Sequence, residues 1–467
     1  MPLILGTNSI KDTGYNVANS CRFNDGSTDY LNRTPSGAGN RRTFTISAWV
    51  KRGQVTTNSF LFGAWTADND AGHFAFGFES AERLTVDTYS TNLLTSTRVF
   101  RDPNAWYHVV CAVDTTSGTA DQRVRLYVNG TEETVFSTRN NPSQNADLQA
   151  NNSVIQVVGA NYYNSQANVT HDGYMAEFCM IDGQQLDATS FGEFSEDSPN
   201  IWIPKDVSGL TFGTNGFYLD FENSGSLGAD VSGNSNNFTV NNLTSVDQST
   251  DTCTNNFCTL NPLLDVYNPA IFSNGNLTAT GSGSGNGRYA FSSFAVANGK
   301  WYYEVKVTVA GSNPYVGVID AQSTLRRNSI YFVAAASGTN QSGYAVNMTG
   351  DIYHNNSNSY AANISNTSTG DILGFAIDLD SAQRTCEIYR NGSSQRSFNL
   401  DEPTSGFYLL GASSTYNQSS AVADMNFGSP AYAISSGNQD GNGYGNFEYA
   451  VPSGYYALNT KNLAEFG

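Results

Sequence analysis

The sequence predicts an all-β protein made of two tandem antiparallel β-sandwiches, with an irregular connector between them and a C-terminal arm. Three observations carry this. First, apolar residues alternate with polar ones at period two in many short segments, the spacing of a strand with one buried face. Second, turn formers are abundant: 44 of 467 residues are Gly, Asn and Ser are frequent, and charged residues are only 14%. Such a composition disfavours helices and suits short strands joined by tight turns. Third, 467 residues exceed what one sandwich core normally organises.

Residues 1–190 read as the first sandwich. FTISAWVK sets Phe44, Ile46, Ala48 and Val50 against Thr45, Ser47 and Trp49. SFLFGAW and HFAFGFE continue the period. WYHVVCAVD places Tyr107, Val109, Cys111 and Val113 on one face, and RVRLYVNGTEE does the same with Val124, Leu126 and Val128 before a hairpin at Asn129-Gly130. VIQVVGA and GYMAEFCMIDG complete the set. The ordered series TISAWVK, Trp106-x-His108-Val109 and Leu126-Tyr-Val-Asn-Gly130 resembles the laminin-G/pentraxin-like branch of the concanavalin superfamily. That resemblance implies a concanavalin-like jelly roll and binding by its loops.

Residues 191–260 read as a connector, through FGEFSEDSPNIWIPK, GTNGFYLDFEN and GADVSGNSNNFTVNN. Together with the preceding DGYMAEFCMIDGQQLD, it resembles a segment recurrent in proteins of marine bacteriophages. Residues 261–430 read as the second sandwich. KWYYEVKVTVAG sets Trp301, Tyr303, Val305 and Val307 against Tyr302, Glu304 and Lys306. With the segments Gly370–Asp380 and Tyr389–Gly392, the Trp301–Glu304 strand resembles a SPRY domain, which implies recognition through a loop rim, of peptide more often than of sugar. Residues 431–467 form an arm without strand periodicity but rich in aromatics, among them Tyr444, Phe447, Tyr449, Tyr455, Tyr456 and Phe466. Disordered tails are poor in aromatics, so this one is expected to be buried, preferentially on a neighbouring subunit.

The formal net charge of −18 repels nucleic acid and anionic lipid and excludes both as partners. No stretch is long enough to span a membrane, and the start MPLILGTNSIKD lacks the basic and apolar regions of a signal peptide. A lectin-like texture without a leader is expected of a virion protein, which folds in the host cytoplasm and leaves by lysis. The expected partners are other virion proteins, in a homo-oligomer or symmetric assembly, and host-surface carbohydrate. Cys21, Cys111, Cys179 and Cys386 sit in strand patterns, while Cys253 and Cys258 flank a loop that could be bonded or reduced.

Catalysis is not expected. Glycosidases need two opposed carboxylates, and the strand pattern Glu-x-Asp-x-x-Glu is absent. His73, His108, His171 and His354 lie near no nucleophile-elbow pattern. Calcium is the one cofactor the residues suggest. Asp68 and Asp70 in ADNDAG, and Asp230, Asn234 and Asn236 in GADVSGNSNN, offer clustered oxygens, although the same residues are ordinary turn formers. Ligand binding calls for aromatic faces beside amides. The candidates are Tyr162 and Tyr163, then Tyr353, His354 and Tyr360, then Tyr416 and Asn417, with capping of the sandwich edge as the alternative role.

Overall fold

The computed structural model describes residues 14–467 apart from 265–268, 282–287, 309–313, 323–342, 355–356 and 416–421. The chain divides into two compact units, Thr13–Thr254 and Asn255–Gly467. Both are antiparallel β-sandwiches, as the alternation predicts. Among the described residues, no helix is long and apolar enough to cross a membrane.

In the first unit, one sheet is centred on Thr43–Arg52, flanked by Trp106–Asp114 and Gly173–Asp182. The facing sheet runs through Asn92–Val99, Arg83–Asp87, His73–Phe78, Ser59–Trp65, Ile155–Val158 and Tyr30–Arg33. Phe44, Ile46, Ala48 and Val50 enter the core beside Phe74, Phe76, Val109 and Cys111. The Asn129-Gly130 hairpin has φ of +46° and +79°, the doubly left-handed pair that a two-residue hairpin turn needs and that Asn-Gly adopts at least cost.

The expected connector proves to be part of this sandwich. Phe217–Leu219 pairs with Gly173–Asp182, Thr239–Asn241 with Tyr30–Arg33, and Gln248–Ser249 with Ser20–Phe23. The reason is physical. Trp49, Val110, Ala112 and Ala176 point away from the core and would face water, so Phe191, Trp202, Val207 and Phe212 cover them in a second apolar cluster. His108 pins this cover. Trp202 Nε1 donates to His108 Nδ1 at 3.1 Å, so Nε2 carries the proton and donates to Ser47 Oγ at 2.9 Å. Burial pushes this imidazole down to about 3, and it stays neutral.

In the second unit, Lys300–Val307 lies between Ile372–Asp378 and Val422–Asn426, and the facing sheet is built on Tyr315–Asp320 and Tyr408–Thr415. Trp301, Tyr303, Val305 and Val307 enter the core as the alternation requires. Here the expectation for the arm needs correction: it docks on its own sandwich, not on a neighbour. Tyr456–Ala457 pairs in parallel with Lys300–Val307, and Leu458 and Leu463, from the helix Thr460–Phe466 and its approach, join the core. Phe447 and Ala457 cover Tyr302 and Ala376 on the outer face of the sheet. Glu304, fully buried on that face, accepts from the backbone N–H of Glu448 at 3.0 Å and of Tyr449 at 2.9 Å, and from Asn426 Nδ2 at 3.1 Å. Tyr302 lies on the outward phase, so its apolar ring had to be covered, and the chain's own terminus covers it.

Candidate functional site

Strand phase places the site. Phe74, Phe76 and Phe78 point into the first core, which turns His73, Ala75 and Gly77 to the outer face of their sheet. On the next strand Leu84 and Val86 point inward, leaving Thr85 and Asp87 outward. A hairpin, Asn161–Tyr163 paired with Gln166–Asn168, folds over this face. Gly63 lets it approach, since a Cβ there would come within 3.1–3.2 Å of Val157, Ala160 and Asn161.

Between this hairpin and the loop after Arg83–Asp87 opens a pocket of about 360 Å³. Its floor is Phe60, His73 and Asp87. Tyr89, Ser90 and Asn92 form one wall, Asn161, Tyr163 and Val169 the other, and Asn58 and Thr88 complete it. Val169 holds φ at +48°, a conformation a β-branched residue rarely adopts. His73 stands 2.7 Å by its Nε2 from Asn161 Oδ1, which also accepts from the Tyr162 N–H. Nε2 is therefore the donor, and burial lowers the ring's pKa. Asp87 Oδ1 accepts from Thr85 Oγ1 at 2.6 Å. Burial, reinforced by Glu79, outweighs that bond and pushes the carboxyl up to about 7.

The ADNDAG loop frames this pocket. Asp70 accepts from the Ser90 N–H at 2.6 Å and from the hydroxyls of Thr88, Ser90 and Thr91 at 2.9–3.0 Å, which holds its carboxyl down at about 2. Asp68 accepts from Trp65 Nε1 at 2.7 Å and from the Asn164 N–H at 3.0 Å. One acid thus ties down the Thr88–Thr91 wall and the other the hairpin. The second oxygen-rich loop also ties backbone. Asp230 accepts from the N–H of Tyr218, Ser232 and Asn236, while the amides of Asn234 and Asn236 donate to carbonyls of 213–216. Among the described residues, no group of three or more His, Cys, Asp and Glu is placed to hold a metal ion. None of the six cysteines forms a disulfide with another.

Tyr163 lines the pocket, while Tyr162 packs on Trp65 at 5.6 Å between ring centres and donates to Ser165 O. In the second unit, His354 is buried. It stacks on Tyr344 at 4.0 Å and reaches Asp401 Oδ2 at 3.2 Å. Tyr360 packs edge-on to His354 and donates to Asn399 O, and Tyr353 packs on Tyr315. Tyr360 thereby links its strand, Ser357–Ala361, to Ser393–Asn399 of the facing sheet. Tyr416 and Asn417 lie outside the described residues. His73, Asp87, Tyr89 and Asn161 escape a search for polar loops. The available signal is a polar residue in the outward phase at a strand end, His in HFAFGF and Asp in RLTVD.

Comparison with known proteins identifies the modules. A family model for the concanavalin A-like lectin/glucanases superfamily, of laminin G type, matches residues 25–184, and the SPRY domain model matches residues 300–427. No curated protein matches the sequence. Among solved structures, the chain is similar to a putative carbohydrate binding protein from Bacteroides ovatus, at 18% identity over 49% of this chain and 59% of that one, with a TM-score of 0.33. It is also similar to the SPRY domain of human HERC1, at 15% identity over 36% and 96% with a TM-score of 0.27. Domains LG4-5 of the mouse laminin alpha1 chain show 10% identity over 90% of each chain, with a TM-score of 0.29. These likenesses add no argument about ligand. The chain carries a laminin-G-type concanavalin-like domain followed by a SPRY domain, in the order its sequence predicts.

Proposed function

We propose that the chain is a non-catalytic component of a bacteriophage particle, a head decoration or a tail- or fibre-associated protein, and that its first sandwich binds host-surface glycan. The observation that carries the binding role is the pocket over His73 and Asp87. Amides from Asn58, Asn92 and Asn161 and hydroxyls from Thr88 and Ser90 supply donors and acceptors for sugar hydroxyls, and Tyr89 and Tyr163 supply ring faces. The laminin-G-type match supports this reading. Asp87 is the one carboxylate among the described lining residues, whereas glycoside hydrolysis needs two on opposite sides of the bond. The particle assignment is supported by the resemblance of residues 172–260 to a segment of marine phage proteins, and by the acidic charge of −18, which keeps a protein off nucleic acid.

The test is retention of the full chain on immobilised host lipopolysaccharide, with reducing ends assayed in parallel. Retention that Tyr163→Ala weakens about tenfold, with no reducing ends released, is the expected result. Release of reducing ends would overturn the non-catalytic reading. Retention unaffected by Tyr163→Ala would remove the pocket from it.

A further inference from the structure

We infer that this pocket selects a saccharide bearing a basic amino group over its neutral and acidic counterparts, with Asp87 as the countercharge. The inference rests on the glycan reading above and names the class of sugar. Its basis is the sign of every charge around the cavity. No Lys or Arg is among the described lining residues. Asp87 sits on the floor, most of it out of water, with Thr85 as its hydroxyl donor and no ion pair to any described residue. Behind the walls stand Asp70 and Asp68, each held by protein hydrogen bonds, and Glu79 acts on Asp87 from the adjoining turn. The nearest guanidinium on the same strand, that of Arg83, is taken by Glu79.

The remaining titratable groups facing Asp87 are His73 from the neighbouring strand, which burial keeps neutral, Tyr89 from the loop and Tyr163 from the hairpin. None offers positive charge at neutral pH. An acidic sugar entering here meets like charge beside a largely buried carboxylate, where such repulsion is less screened than at an open surface. A neutral sugar excludes water from Asp87 and leaves its charge uncompensated. A sugar ammonium supplies both the missing charge and a charge-assisted hydrogen bond. The elevated pKa of Asp87, about 7, agrees with this picture: a desolvated carboxylate without a cation takes up a proton, and a bound ammonium would take that proton's place.

The test titrates the full chain at pH 7.5 with three sugars of one configuration, glucosamine, N-acetylglucosamine and glucuronate, followed by ligand-observed NMR. Glucosamine should bind roughly tenfold or more tightly than N-acetylglucosamine, and glucuronate more weakly than either. Asp87→Asn should erase the glucosamine preference, because the neutral amide supplies no countercharge for the ammonium. On the unaltered protein, pH 5.5 should erase it as well, because a carboxyl with a pKa of about 7 is then almost wholly protonated. Equal binding of the amine and its acetylated form, or tighter binding of glucuronate, overturns the inference and leaves the glycan reading standing. Failure of all three sugars to bind overturns both.

Discussion

Removing the C-terminal arm from Gly441 onward should unfold the second sandwich and leave the first intact. The deletion takes Leu458 and Leu463 out of a closed core in which each is 1% exposed. Losing a buried leucine costs about 2–5 kcal/mol, so two such losses approach the roughly 5–15 kcal/mol that holds a whole domain together. The same cut uncovers Tyr302 and Ala376 by removing Phe447 and Ala457. It also strips Glu304 of the two backbone N–H donors at 2.9 and 3.0 Å that satisfy a carboxylate on a buried face. Asn426 Nδ2 and the Tyr302 hydroxyl remain as its donors, so each lost N–H bond adds about 0.5–1.5 kcal/mol. Differential scanning calorimetry of the full and truncated chains reads the outcome directly. The transition of residues 255–467 should vanish while that of residues 14–254 persists. If both transitions survive with midpoints within a few degrees of the full chain, the arm is not part of the second core. A milder version is Phe447→Ala, which leaves the chain length unchanged and should cost about 3–5 kcal/mol in the second unit alone.

Two further outcomes follow from the first unit. Trp202→Ala removes a side chain that is 7% exposed, stacks on His108 and donates to its Nδ1. It should lower the unit's stability by about 3–5 kcal/mol, and an unchanged urea midpoint would show that residues 191–254 do not belong to this fold. Glu177→Gln should make that unit less sensitive to pH. Burial pushes the Glu177 carboxyl up to about 7, against roughly 4.3 in an unfolded chain, so the wild-type fold holds a proton that the unfolded state has released. Wild-type stability is therefore lost as pH rises from about 4 to about 7. Relative to wild type, the variant should gain progressively across that window, by up to about 4 kcal/mol, and keep that gain with no further increase above it, and parallel stability–pH curves would refute this.

The strands of both sandwiches were legible because one face of each is buried, and period-two alternation is what that burial writes into a sequence. The Asn129-Gly130 turn was legible because few residues accept two successive positive φ values. Residues 191–254 were not, because their strands are about three residues long, as in Trp202–Pro204 and Phe217–Leu219, too short for any period to show. Yet the partner strands held a clue. Trp49, Val110 and Ala112 stand in the outward phase, and apolar residues on both faces of a strand require a third layer. The arm's aromatics correctly announced burial, but composition carries no information about which surface receives them. Tyr302 and Glu304 in the outward phase of their strand were the signal that this surface lay in the same chain.

The site shows the complementary lesson. Clusters of Asp, Asn and Tyr in loops drew attention to Asp68, Asp70, Tyr162 and Tyr163, and these do surround the pocket. Most of them build it and do not line it. Asp70 is occupied by four donors and Asp68 by two, so their oxygens are committed to shaping walls. A loop rich in short polar side chains satisfies itself, because each residue can reach its neighbours' backbone. A strand does so less fully, since its backbone groups are already spent on the ladder and only same-face neighbours, such as Thr85 beside Asp87, are within reach. His73 and Asp87 are therefore polar groups that the fold buries without saturating, one neutral and one of raised pKa. Such groups are the ones left to recognise something else, which is why the chemistry of this pocket lies in the phase of two strands and its shape in the loops.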